Sequence, residues 1–214
     1  MSYAVKETYY TLQGEGAQAG RAAVFLRFTG CNLWSGRERD RGKAVCSFCD
    51  TDFVGTDGPG GGRFADAAAL AAHVRSFWPE GVAGVPYVVC TGGEPALQLD
   101  GPAVAALQRL GFEVGVETNG TLPLPPGLDW VCVSPKAATD LVIRRGDELK
   151  LVYPQREVAA QPERFAELGF AHLFLQPLDE GDGGVDHTAA CVRYCLAHPR
   201  WRLSVQVHKV VGIA

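Results

Sequence analysis

Tyr87-Val88-Val89-Cys90-Thr91-Gly92-Gly93-Glu94-Pro95 is the stretch on which the fold turns: four strand-forming residues stop at a glycine pair, a carboxylate and a proline. A short apolar run bounded by such a turn reads as a strand buried on both faces. Residues 102–110 then carry helical spacing, and 112–116 form another apolar run. Similar runs lie at 23–28, 130–133, 148–152, 172–175 and 203–207. Helical spacing recurs at 66–77, 162–168 and 185–197, with Asp66 placed as an N-cap. This alternation implies βαβ units around a buried parallel sheet, an α/β domain that is either doubly wound or curved into a partial barrel. Periodicity does not choose between the two.

The 214 residues, 47% hydrophobic and 21% charged, supply one sizeable core, so a single domain over residues 1–214 is expected. A net charge of -4 gives no general attraction to nucleic acid or to an anionic membrane, since both need an excess of Lys and Arg. No charged-then-apolar leader opens the chain, and no apolar run approaches the roughly 20 residues that span a bilayer. The expected location is the cytoplasm, and the expected partner a small molecule. Segments 37–43, highly charged, and 55–62, rich in glycine, have loop composition, and no internal repeat is visible.

In parallel α/β proteins ligands bind at the carboxyl ends of the strands. Here those ends carry Thr91 and Glu94, Glu117 to Asn119, Ser134 and Lys136, Gln176, and His208. Arg27 stands among Phe25, Leu26 and Phe28 in a strand that otherwise reads as buried. An inward guanidinium needs an anion, for which an internal Asp or Glu and a bound carboxylate are both candidates.

Seven cysteines is an odd number, and in a reducing compartment spacing matters more than pairing. Cys31, Cys46 and Cys49 form C-x14-C-x2-C directly after the first strong strand. Three soft thiolates suit zinc or an iron-sulfur cluster. Structural zinc wants a fourth ligand, yet the chain has no second C-x2-C and no close His pair, which favours the cluster. Cys90, Cys132, Cys191 and Cys195 sit among apolar neighbours and are expected to pack in the core.

Phe48 before the third cysteine, the run Cys49-Asp50-Thr51, the Thr91-Gly92-Gly93-Glu94-Pro95 turn, Leu12-Gln13-Gly14-Glu15-Gly16 and Gln206-Val207-His208-Lys209 together resemble the 7-carboxy-7-deazaguanine synthases. These belong to the radical S-adenosylmethionine enzymes. Such enzymes usually carry C-x3-C-x2-C, so residues 32–45 read as an insertion that loops out while the cluster ligands converge.

The resemblance implies an incomplete TIM-type barrel of parallel strands. It implies a 4Fe-4S cluster on Cys31, Cys46 and Cys49, with one iron left open to the cofactor. S-adenosyl-L-methionine would be held by Phe48, Cys49, Asp50, Gly92, Gly93, Glu94, Ser134, Lys136 and Gln176. The substrate, 6-carboxytetrahydropterin, would meet Leu12, Gln13, Gly14, Glu15, Arg27, Thr91, Glu117, His208 and the terminal carboxylate of Ala214. Thr51 would help hold Mg2+. The implied reaction is a radical ring contraction with loss of ammonia, a lyase step toward queuosine, with no catalytic side chain beyond the cluster and the cofactor radical. An electron donor such as flavodoxin and a homodimer are implied as well. Two rival readings are a glycyl-radical-enzyme activase and a non-catalytic zinc-stabilised binding module.

Overall fold

Aromatic and β-branched residues with strand propensity make Tyr3–Leu12 (β1) and Ala22–Phe28 (β2) an antiparallel pair. The computed structural model describes residues 2–181 and 183–213. Gly62–Phe64 (β3) pairs antiparallel on the outer side of β1. From β2 onward every pairing is parallel, through Tyr87–Gly92 (β4), Glu113–Thr118 (β5), Trp130–Val133 (β6), Arg145–Tyr153 (β7), Gly169–Pro177 (β8) and Trp201–Leu203 (β9). The order β3-β1-β2-β4-β5-β6-β7-β8-β9 leaves the sheet open at β3 and β9. The expected α/β architecture is therefore present as an open, mostly parallel sheet.

Helices Ala67–Arg75 (α1), Gly101–Arg109 (α2) and Thr188–Ala197 (α3) cover the outer face. Asp66 caps α1 by accepting from the Ala69 amide at 2.8 Å, as its sequence position predicts, and Asp100 caps α2 through the Ala103 amide at 3.0 Å. Leu70, Val74, Val104 and Leu107 pack on Val24, Leu26, Val88 and Val114 of the sheet. Farther along, Leu149, Leu151, Leu173 and Leu175 pack with Phe165, Cys191 and Trp201. Each such side chain contributes about 1.5–3 kcal/mol by leaving water. Cys90, Cys132 and Cys191 are buried and Cys195 packs at the margin of the core, in line with their expected roles. No helix among the described residues is long and apolar enough to cross a membrane.

Three expectations change. Residues 162–168 form no α-helix but only the short 3-10 turn Pro162–Arg164. The stretch is too short to repay helix nucleation before the chain enters β8 at Gly169. The last strand lies at Trp201–Leu203 rather than 203–207, because Ser204 turns in to meet the loop after β1 and Val207–Val211 forms a short helix (α4). Strands β1 and β3 were not foreseen: β1 alternates with Lys6, Glu7, Thr8 and Thr11, and β3 borders the glycine-rich segment.

Candidate active site

Alternation along each strand divides core from cavity. In β2, Val24, Leu26 and Phe28 face the helices, whereas Ala23, Phe25 and Arg27 face inward. In β5 Val114 and Val116 face out and Glu117 in; in β7 Leu149 and Leu151 face out and Lys150 in. The inner face and the carboxyl-end loops enclose a cavity of about 420 Å³. It is lined by Leu12 at the end of β1 and Gln13, Gly14 and Glu15 after it, by Arg27, and by Phe48, Cys49, Asp50 and Thr51 of the cysteine segment. Thr91, Gly92 and Gly93, then Glu117, Ser134, Lys136, Gln176 and His208, complete the wall drawn from the sequence-predicted set.

The glycine pair after β4 has a steric function. A Cβ on Gly93 would lie 2.3 Å from the Gly30 carbonyl oxygen and 2.7 Å from the Cys31 Cβ. The Glu94 amide donates to that same Gly30 oxygen at 2.9 Å, so the turn holds the backbone directly before Cys31. Glu94 itself is fully buried and does not line the cavity. Its carboxylate accepts from the Ala96 amide at 2.9 Å and from the Thr118 hydroxyl and Asn119 amide, both at 2.7 Å. Burial raises its pKa, with these bonds partly offsetting the rise. The carboxylate ties the β4 turn to the end of β5. Asn119 extends the tie by donating to Asn32 Oδ1 at 2.9 Å.

Cys31, Cys46 and Cys49 carry free thiols. Burial pushes the Cys31 and Cys46 thiols up. Among the described residues no three His, Cys, Asp or Glu side chains are grouped tightly enough for one metal ion. Thiols that each bind a different iron of a cubane need no such grouping. The donor set of three soft ligands beside an accessible cavity fits a cluster with one open iron. Lys136 adds positive charge nearby, donating to Ser134 Oγ at 2.8 Å and lying 5.7 Å from the centre of the Phe48 ring.

At the inner end of the cavity Gln13 Nε2 donates to Glu117 Oε1 at 2.7 Å, and Lys150 Nζ lies 2.6 Å from Glu15 and 3.2 Å from Glu117. Burial disfavours the Glu15 carboxylate, but the Lys150 charge and the Lys150 and Gln206 hydrogen bonds outweigh it and lower its pKa. Arg27 has an internal anion: its Nε donates to Glu7 at 2.7 Å, and Nη2 donates to the Tyr9 hydroxyl at 3.2 Å. At the mouth Lys209 bridges Asp50, at 2.9 Å, and Asp179. A Cβ on Gly14 would fall 2.3 Å from His208 Nδ1, so a side chain there would displace the imidazole. His208 thus reaches the site from α4, not from a strand. Ala214 lies outside the described residues.

Lys150 and Asp179 line the cavity and were not singled out from sequence, while Gln206 and Lys209 of the quoted Gln206-Val207-His208-Lys209 run line it as well. Lys150 was detectable by the argument applied to Arg27, since Glu148 and Lys150 are charges inside an apolar strand. Asp179 depends on a loop whose course no periodicity reveals.

No protein-family model matches the chain. Full-length similarity is nevertheless extensive. The chain is 62% identical over 213 residues to a 7-carboxy-7-deazaguanine synthase of Bordetella pertussis and 61% over 213 residues to one of Caulobacter vibrioides, covering 100% of each chain in both pairs. A synthase of the same name from Bacteroides thetaiotaomicron is 38% identical over 209 residues, 98% of this chain and 97% of that one. Among solved structures, QueE from Escherichia coli superposes with a TM-score of 0.71 at 29% identity, covering 97% of this chain and 95% of the other. Such likeness in fold decides for the partial barrel over the doubly wound sheet. With the cysteine segment, the glycine turn and the polar inner face in one cavity, the chain belongs to the 7-carboxy-7-deazaguanine synthase family.

Proposed function

We propose that the protein is a radical S-adenosylmethionine enzyme, a carbon-nitrogen lyase, converting 6-carboxy-5,6,7,8-tetrahydropterin to 7-carboxy-7-deazaguanine with loss of ammonia in the cytoplasm. One observation carries the reading. A single cavity joins the Cys49 segment and the Gly92-Gly93 turn to an inner end built from Gln13, Glu15, Arg27 and Glu117.

In this reading Cys31, Cys46 and Cys49 hold the 4Fe-4S cluster, and Phe48, Asp50, Gly92, Gly93, Ser134, Lys136 and Gln176 hold S-adenosylmethionine. When bound, the two supply a 5'-deoxyadenosyl radical able to take hydrogen from C6 of the pterin. The chain itself positions and shields. Glu15 and Glu117 accept from the amino and ring N-H groups, for which ionised carboxylates are suited. Arg27, steadied by Glu7, offers its fork to the substrate carboxylate, and Thr91 and His208 add polar contacts. Thr51 beside Asp50 gives Mg2+ hard oxygen ligands against that carboxylate. The Ala214 carboxylate, a flavodoxin-type electron donor and a homodimer complete the proposal.

The test is an anaerobic assay of reconstituted protein with cofactor, reductant and pterin, following 5'-deoxyadenosine and 7-carboxy-7-deazaguanine by mass spectrometry. Both products are expected with Mg2+, and neither the pterin nor the cofactor should be consumed without the cluster. After rigorous chelation, Na+ alone should not support full turnover and Mg2+ should restore it. Cofactor cleavage without the deazapurine would sink the substrate assignment.

A further inference from the structure

Lys150 is a buried charge to which the reading above gives no role. It stands on the inner face of β7, 3% exposed, between two carboxylates from distant parts of the chain. Glu15 comes from the loop after β1 and Glu117 from the end of β5, and both line the cavity. Each carboxylate places one oxygen on the ammonium and the other on an amide. Glu15 Oε1 accepts from Gln176 at 3.1 Å and Gln206 at 3.0 Å, while Glu117 Oε1 accepts from Gln13 at 2.7 Å. The two side chains are thereby fixed in direction as well as in place.

Charge count gives the arrangement its selectivity. Two carboxylates against one ammonium leave a surplus of negative charge and acceptor lone pairs facing the cavity. Burial pushes the third carboxylate, Glu148, toward its neutral form, and it accepts from the Ala17 amide at 2.9 Å. Burial opposes the charge on Lys150, but Glu117 and Glu15 more than compensate and hold its pKa well above the ordinary lysine value. Such an ammonium stays charged and has no proton to exchange near neutrality. Removing it would set two like charges side by side in a poorly solvated site.

We propose that Lys150 is a positioning residue that holds Glu15 and Glu117 as a fixed carboxylate pair and so sets the preference for a ligand edge rich in N-H donors. The inference rests on the function proposed above. It predicts discrimination between a pterin, with its 2-amino group, and a lumazine, the same bicycle with a carbonyl at that position. A carbonyl there would face carboxylate oxygens and leave them unpaired.

Binding of 6-carboxypterin and 6-carboxylumazine to the cluster-loaded protein, followed by ligand fluorescence from about pH 6 to 9, tests this. The wild type should favour the pterin at least about tenfold, with little pH dependence. In Lys150→Met the ratio should collapse by roughly tenfold. Pterin affinity in this variant should also rise with pH, because the unbridged pair shares a proton in acid. The other titratable groups facing the pair are Glu148, Cys132, His208, Tyr9 and Tyr87. Lys150→Arg should keep the flat profile yet lose part of the ratio, since a planar fork cannot reproduce the bridge. That variant decides the matter should Lys150→Met not fold. A wild type that binds neither ligand removes the proposed function and this inference with it. A wild type that prefers the pterin, with both variants showing the same ratio and the same flat profile, overturns only the role of Lys150.

Discussion

Replacing Gly93 by Ala adds one methyl group, yet that group would meet backbone at 2.3 Å and the Cys31 Cβ at 2.7 Å. Neither contact is the yielding end of a side chain. Gly93→Ala should therefore cost about 1–3 kcal/mol, read as a lowered urea midpoint. It should also lower the iron retained per chain after reconstitution, because the displaced backbone carries Cys31. An unchanged midpoint with full iron content would show that the turn does not fix the cysteine segment. Sequence alone found this glycine pair but not the partners of Glu94, Thr118 and Asn119, which arrive from the next strand. Arg27 illustrates the same limit. Its inward direction follows from alternation, while its partner Glu7 belongs to a strand whose polar residues concealed it.

At the scale of elements, the insertion 32–45 is fastened at both ends. Val45 and Cys46 both donate to the Leu33 carbonyl, at 3.0 and 3.3 Å, closing its neck. Trp34 is buried edge-on against Phe53 at 5.6 Å, and Arg41, from the 3-10 helix Glu38–Lys43, stacks over Trp34 at 4.2 Å. Arg41 Nη1 then reaches the carbonyls of Ser47 and Cys49, both at 3.0 Å. Arg41→Ala should speed amide hydrogen exchange across residues 46–51 by several-fold, corresponding to about 1 kcal/mol for the lost bonds. Exchange elsewhere in the sheet should not change. If the segment exchanges as in the wild type, the insertion is a passive loop. The sequence identified residues 32–45 as looped out, since the flanking motif fixed their ends. Their attachment rests on side chains that meet only after folding.

Over the whole molecule, the cavity is shared between two groups of loops with separable duties. In the proposed function the cysteine segment would serve the cluster side, and the inward faces of β2, β5 and β7 the substrate side. Cys46→Ala should abolish cofactor cleavage, whereas Arg27→Ala should chiefly weaken pterin binding, by roughly tenfold or more for a lost charged contact. Parallel titrations of 5'-deoxyadenosine formation and pterin affinity check this, and an unchanged pterin affinity in Arg27→Ala would remove that assignment. The sequence by itself determined the α/β alternation, the helix-capping Asp66, the cysteine triplet and most of the strand-end residues. These depend on local periodicity and on motifs whose chemistry is contained in a few neighbouring positions. Only the tertiary structure decided that α4 brings His208 and Lys209 to the mouth, that Glu94 is tied to Thr118 and Asn119, and that Lys150 joins Glu15 to Glu117. Such contacts link residues more than 20 positions apart, and their geometry is set by sheet register and loop course, which no local pattern encodes.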